Sequence, residues 1–174
     1  MSTVYGEIEA RRRTILKTWR ASLDGASGAS HSSAARNANR FTDSVTYLVD
    51  EATSDVVTWL VGERGLQDVP ESLVDICRLK AVQDASPSLA LRFIFDLKQV
   101  IRSTLGNSVG EKERDIVLGK VDARIDELAL FAFDRYAEFR DQLSQIRIDE
   151  IRRGEGIMKK RLASEHAPRE REAV

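Results

Sequence analysis

One long run of helical periodicity near the C-terminus limits the folds open to this chain. Its apolar residues advance in steps of three and four, and no proline interrupts the stretch from about 113 to 153. The positions are Val121, Ile125, Leu128, Ala132, Tyr136, Phe139, Leu143 and Ile146. This spacing predicts one helix with a seam close to a heptad repeat. Forty such residues extend about 60 Å, roughly twice a small domain's diameter, so we expect the end to project or to pack on another chain.

Four further helices are predicted from the apolar spacing upstream. The first covers Tyr5 to Leu23, and the second runs from a cap at Asp43 or Ser44 to a stop at Gly62. The third covers 70–82, and the fourth covers 88–105, where Ser86 and Pro87 supply the N-cap and first-turn residues. Between the first two helices, residues 24–39 are rich in glycine, serine and asparagine and predict a mobile connection. The fold class is therefore all-α.

Length and charge divide the chain into a domain and a tail. We predict a helical domain over 1–153 and a basic, disordered tail over 154–174, because residues 152–174 hold seven basic and four acidic side chains among glycines and a proline. A total charge of −1 argues against nucleic acid as a partner. The longest apolar run, 128–133, has six residues, so we expect no membrane insertion and a cytoplasmic protein.

Residues that could carry a reaction are scarce. Cys77 is the single cysteine, and His31 and His166 lie in small-residue or charged segments, which argues against zinc sites and serine-type catalysis. Glycine-rich phosphate-binding motifs are absent from the sequence. We therefore expect no enzyme activity, no metal and no cofactor. Haem bound through Cys77 remains a weaker alternative.

Several polar residues fall inside the most apolar stretches, where we expect burial. We interpret them as helix caps and as ties between helices, since buried charges must be paired, and contact with a ligand is the alternative. They are Arg78, Gln83, Asp84, Arg92 and Asp134.

Three segments together resemble the N-terminal domain of the RsbRD family, the RsbT co-antagonist proteins of the bacterial stressosome. The most specific is RLKAVQDASPSLALRFIFDLK at 78–98, and the others are RRTILKTW at 12–19 and RIDELALFAFD at 124–134. The resemblance covers about residues 7–153. It implies a globin-like helical bundle without haem, a homodimer, and a long projecting C-terminal helix. In longer relatives that helix leads into a STAS domain.

Two functions follow from the residues and the resemblance together. The first is a non-enzymatic sensory or regulatory module that dimerises and relays a stress signal through its last helix to a protein partner, either a STAS-type protein or another regulator. The predicted dimer and output residues are Tyr136, Phe139, Leu143 and Ile146. The alternative is a carrier or sensor of a small apolar ligand in a globin-type pocket. The predicted pocket residues are Trp59, Phe93, Phe95 and Phe133.

Overall fold

The computed structural model describes the backbone of residues 4–26, 38–106 and 111–166, and the side chains of 4–23, 44–106, 116 and 118–159. All regular structure in these ranges is helical, which confirms the all-α prediction. The helices are α1 Val4–Ala10, α2 Arg12–Ala26, α3 Ala38–Val61, α4 Glu71–Val82, α5 Pro87–Leu105 and α6 Glu111–His166, with a 3₁₀ turn at Leu66–Asp68.

The core forms where α2 packs on α5. Trp19 is fully buried, its indole Nε1 donates a hydrogen bond to the Phe93 carbonyl at 2.7 Å, and the two rings stack with centroids 6.1 Å apart. Ile15, one turn earlier on the same face, is also fully buried. The amphipathic pattern of the first predicted helix therefore marks its core side, because residues four apart share a helix face.

The first predicted helix is divided into α1 and α2 at Arg11. Backbone hydrogen bonds continue across the break, from Arg11 N to the Glu7 carbonyl at 3.1 Å and from Ile15 N to the Arg11 carbonyl at 3.0 Å. The Arg11 guanidinium donates to the carbonyls of Thr104 and Leu105, at 2.9 and 3.0 Å. It thereby satisfies carbonyls that the end of α5 leaves without a helical partner.

Two predicted helix starts had different outcomes. α5 begins at Pro87 with Ser86 as its N-cap residue, as the sequence predicts. The predicted start of α3 at Asp43 or Ser44 is wrong, because α3 begins at Ala38. Residues 38–43 include alanine and arginine, which favour helix, and the capping signal did not outweigh them. Most of the predicted mobile connection, at 27–37, lies outside the described residues.

α3 and α4 end in the same kind of turn. Glu63 and Asp84 adopt left-handed backbone conformations with φ of +49° and +58°. In each turn the N–H of the left-handed residue donates to the carbonyl three residues earlier, at 3.3 Å for Glu63 and 3.2 Å for Asp84. The N–H of the next residue donates to the carbonyl five residues earlier, at 3.4 Å in both turns. This is the Schellman arrangement, which favours glycine at the left-handed position. Any residue other than glycine lowers the stability of the fold by roughly 1 kcal/mol at this position.

The polar residues predicted inside the apolar stretches are at the surface, so the expectation that they are buried is wrong. Arg78 and Arg92 are exposed and pair with Asp75 and Asp96 on their own helices. Asp84 lies in the turn after α4, and Gln83 and Asp134 are exposed as well. α4, α5 and α6 each keep a solvent-facing side, even where their sequences look apolar all round.

Contacts divide the chain into two compact units, Met1–Phe139 and Arg140–Val174. α6 continues through residues 154–166, where a disordered tail was predicted. Each glycine in a helix costs about 1 kcal/mol relative to alanine, and good helix formers such as methionine, lysine, arginine and leucine surround Gly154 and Gly156. The remaining tail residues, 167–174, lie outside the described ranges.

Candidate functional site

The N-terminal part of α6 forms one wall of the core. Its inward residues recur at intervals of three and four and are almost completely buried. They are Leu118, Val121, Ile125, Leu128, Ala129, Ala132 and Tyr136. The first half of the predicted seam is therefore occupied inside its own chain.

Tyr136 and Phe139, the first two predicted dimer residues, also contact the core of their own chain. Tyr136 is 2% exposed, and its hydroxyl donates to the carbonyl of Ala85 in the turn after α4. Phe139 is half-buried beneath the guanidinium of Arg78, whose Cζ lies 4.9 Å from the ring centroid. Tyr136 cannot reach a second copy without leaving this core.

The other two predicted dimer residues lie beyond Phe139, in the second unit. Leu143 is half-buried, whereas Ile146 is 53% exposed. Ile157, three helical turns further on, is also exposed. These three side chains fall within about 60° of one another around α6, while Ile148 points to the opposite side. α6 therefore presents an apolar stripe, defined here as Leu143, Ile146 and Ile157, and the exposed charged residues Glu150 and Arg153 interrupt it on the same face.

The four residues predicted to line an apolar pocket lie in two different environments. Trp59 and Phe93 are buried in the core, and the Trp59 Nε1 donates to the carbonyl of Gly65 at 2.9 Å. Phe95 and Phe133 are 48% and 47% exposed. The structure therefore does not bring the four together around one cavity, and the apolar-ligand carrier stays a prediction.

A second exposed apolar surface lies where α5 and α6 meet. Lys98 joins the two helices, because its Nζ lies 2.6 Å from Asp126 and 5.9 Å from the centroid of the Phe95 ring. Leu130 and Phe133 follow Asp126 by one and two turns on the same face of α6, and both are exposed. Sequence reasoning missed Leu130 because the surrounding LALFAF segment is apolar on all sides.

An open pocket of about 420 Å³ lies between α3, the 3₁₀ turn and α4. Its ionisable lining residues are Glu51, Asp55, Arg64, Asp68, Glu71 and Asp75. Asp55 accepts a hydrogen bond from the Ser72 hydroxyl at 2.8 Å. Within the described residues, no three histidine, cysteine or carboxylate groups converge as metal ligands. An acidic, solvated lining of this kind does not suit an apolar ligand.

Cys77, the residue behind the haem alternative, is a core side chain of α4. It is 1% exposed, and burial in apolar surroundings raises the pKa of its thiol to about 12. Iron and most electrophiles react with the thiolate, which this environment disfavours near neutral pH. Cys77 is therefore suited to packing and poorly suited to ligating haem.

Burial of Cys77 predicts a loss of stability at alkaline pH. The unfolded thiol ionises near pH 9 while the folded thiol stays neutral to about pH 12, so raising the pH between these values favours unfolding. We expect the free energy of unfolding to fall by about 1.4 kcal/mol more in the wild type than in Cys77→Ala between pH 8 and pH 10. Urea unfolding at both pH values measures the difference. Equal pH dependence in the two proteins would show that the thiol ionises freely in the fold.

Comparison with known proteins identifies the family. The sequence model of the RsbT co-antagonist protein RsbRD N-terminal domain matches residues 13–151. The chain belongs to this family. This match confirms the resemblance noted in the sequence. RsbRD N-terminal domains are signalling modules associated with the stressosome. No curated protein and no solved structure shows detectable similarity to the chain.

The range that matches the RsbRD N-terminal family extends into both units of the structure. It runs from residue 13 to residue 151, so it leaves out α1 and includes most of α2, all of α3 to α5, and α6 as far as Leu143 and Ile146. None of the described helices has an apolar stretch long enough to cross a membrane. The candidate functional site of this RsbRD domain is thus α6, with its buried N-terminal part and its exposed stripe.

Proposed function

We propose that the chain is a non-enzymatic, cytoplasmic stress-signalling module that dimerises and relays a signal through α6 to a protein partner. The observation that carries the proposal is the change along α6 from core helix to helix with exposed apolar residues. Up to Tyr136 the apolar side chains on the seam side of α6 are buried, while Ile116, Leu130 and Phe133 on its other sides are exposed; from Ile146 onward the seam itself is exposed. Exposed apolar side chains at helical spacing favour a helix that packs on another protein surface.

A second copy of the chain is the proposed occupant of the stripe. Two identical helices can pair along the same face, since a two-fold interface brings one surface against itself. Ile146 and Ile157 would then lie near their counterparts along the helix axis. The exposed surface formed by Phe95, Leu130 and Phe133 offers a second contact between the core units of the two copies.

The output partner is proposed to be a STAS-type protein or another regulator that binds the C-terminal part of α6. This part of the helix carries further exposed apolar side chains on its other flank, including Ile148, Ile151 and Met158. One flank is enough to pair two copies, so the other is free to bind a different protein. In this mechanism the chain performs no chemistry, and the position of α6 carries the signal.

Disulfide trapping tests the pairing of α6. The variant Ile146→Cys is expected to form a covalent dimer under mild oxidation, because the stripe brings this position near its counterpart. Ile148→Cys is the matched control, since it changes the same residue type on the opposite side of the helix and is expected to stay monomeric on a non-reducing gel. Cys77 can remain, because it is buried. If Ile148→Cys formed the covalent dimer as readily as Ile146→Cys, the proposed face would be wrong.

A further inference from the structure

We propose that the turns that end α3 and α4 act as two latches that fix α6 along its axis in the core. The inference rests on the proposed function, in which α6 carries the output. Two of the described hydrogen bonds join an α6 side chain to a backbone carbonyl of the core. Each acceptor belongs to one of the two Schellman turns, at the residue that follows the left-handed position.

The first latch is formed by Arg124. Its Nη2 donates to the Arg64 carbonyl at 2.6 Å, and the guanidinium Cζ lies 4.6 Å from the Trp59 ring centroid. Trp59 in turn donates to the carbonyl of Gly65 at 2.9 Å. One α6 side chain thus contacts both the end of α3 and the turn that follows it. The flat guanidinium suits this position because it can stack and donate at the same time.

The second latch is formed by Tyr136, twelve residues and about 18 Å further along α6. Its hydroxyl donates to the Ala85 carbonyl, and the phenol is almost fully buried. One turn later, Phe139 packs beneath Arg78 of α4. α6 is therefore held at two separate points by equivalent carbonyls of two equivalent turns.

Other polar contacts of α6 with the core are of a weaker kind. Lys98 pairs with Asp126 and Arg102 pairs with Asp122, and each pair joins one exposed and one half-buried side chain of α5 and α6. Ion pairs that are open to solvent contribute little and tolerate small shifts, because both partners are flexible side chains. Apolar burial keeps α6 in the bundle, but apolar contacts are not directional. The two hydrogen bonds to backbone are the contacts that define its axial position.

Both latches depend on turns whose conformation is costly. Glu63 and Asp84 occupy the left-handed region without being glycine. Such strain persists only where the surrounding structure supports it, and it favours release of the turn when that support is removed. The Arg64 side chain also lines the acidic pocket. A molecule bound in that pocket would therefore contact the same residue whose carbonyl accepts the Arg124 hydrogen bond.

Hydrogen exchange of the full-length protein tests the latches. Tyr136→Phe removes the second hydrogen bond alone, and Arg124→Met removes the first while keeping an apolar stem over Trp59. Each variant is expected to speed exchange of the α6 amides at 118–139 about tenfold and to leave the Trp19 region of α2 within twofold of wild type. Lys98→Met, which removes an exposed tie to the same helix, is the control and is expected to change α6 exchange by less than twofold.

A substitution in the turn distinguishes a latch from an ordinary stabilising contact. Glu63→Gly relieves the left-handed strain and is expected to slow α6 exchange about fivefold in the wild type. The slowing should disappear when it is combined with Arg124→Met, because the turn then has no bond to α6. Equal slowing of α6 exchange by Glu63→Gly in both backgrounds would overturn the proposal. It would also be overturned if the α6 amides of Tyr136→Phe and Arg124→Met exchanged no faster than those of Lys98→Met. Exchange at 118–139 requires neither pairing nor a partner, so a monomeric protein would refute the proposed dimer and leave this test intact.

Discussion

Replacing Trp19 with alanine is expected to lower the free energy of unfolding by about 4 kcal/mol. The side chain is fully buried, stacks on Phe93 and donates a buried hydrogen bond to its carbonyl at 2.7 Å. Truncating a buried tryptophan removes the transfer free energy of the ring and leaves a cavity between α2 and α5, which together cost about 3–5 kcal/mol. Domains of this size are stable by only about 5–15 kcal/mol, so this loss removes roughly a quarter to four fifths of the free energy of unfolding.

Urea unfolding followed by circular dichroism measures this loss. Trp19→Phe is the matched control, because it keeps an aromatic ring against Phe93 and removes the indole N–H. It should cost about 1–2 kcal/mol, the usual range for one buried hydrogen bond and a small volume change. A loss below 1.5 kcal/mol for Trp19→Ala would show that α2 does not anchor the core on α5 as described.

Placing charges on the stripe is expected to dissociate the dimer. In the double variant Ile146→Glu, Ile157→Glu, each copy loses two apolar contacts and gains two negative charges that face the partner's. Burial of an isoleucine contributes about 1–1.5 kcal/mol at such a contact, so four lost side chains should weaken association by at least about 4 kcal/mol. This corresponds to an increase in Kd of about a thousandfold.

Ile148→Glu provides the matched control for that result. It makes the same change on the opposite side of α6, at a side chain that is also exposed. Both substitutions use glutamate, which favours helix, so α6 itself should persist and the two proteins should have the same circular dichroism spectrum. Sedimentation equilibrium should show a monomer for the double variant and a dimer for Ile148→Glu. Equal dissociation of both variants would place the interface on the wrong face of α6.

The helical framework could be predicted from the sequence because its signals are local. Periodicity identified the buried faces of α2 and α6, and the pair Ser86 and Pro87 marked the start of α5. Turns with left-handed residues were not predicted, because the usual signal at that position is glycine and this chain has Glu63 and Asp84 there. α6 beyond residue 153 was missed because two glycines were weighed more heavily than the helix formers around them.

The candidate site could be predicted only in part. The seam from Tyr136 to Ile146 was recognised as one feature, yet Tyr136 packs inside its own chain while Ile146 is exposed. Periodicity assigns residues to a helix face but does not say where along that face the neighbouring helices end. The different exposure of the four predicted pocket residues was missed for a related reason, since a helix that is apolar on several sides does not reveal which side meets solvent. Phe95 and Phe133 lie on those solvent-facing sides.

Sedimentation equilibrium of the wild-type protein over about 1–100 µM tests the central claim most directly. Pairing through α6 predicts a mass of twice the 19.5 kDa chain throughout the upper part of this range. The mass should fall to that of one chain in the double variant Ile146→Glu, Ile157→Glu. A wild-type mass of one chain at every concentration would contradict the account, because the exposed stripe of α6 would then have no second copy to cover it.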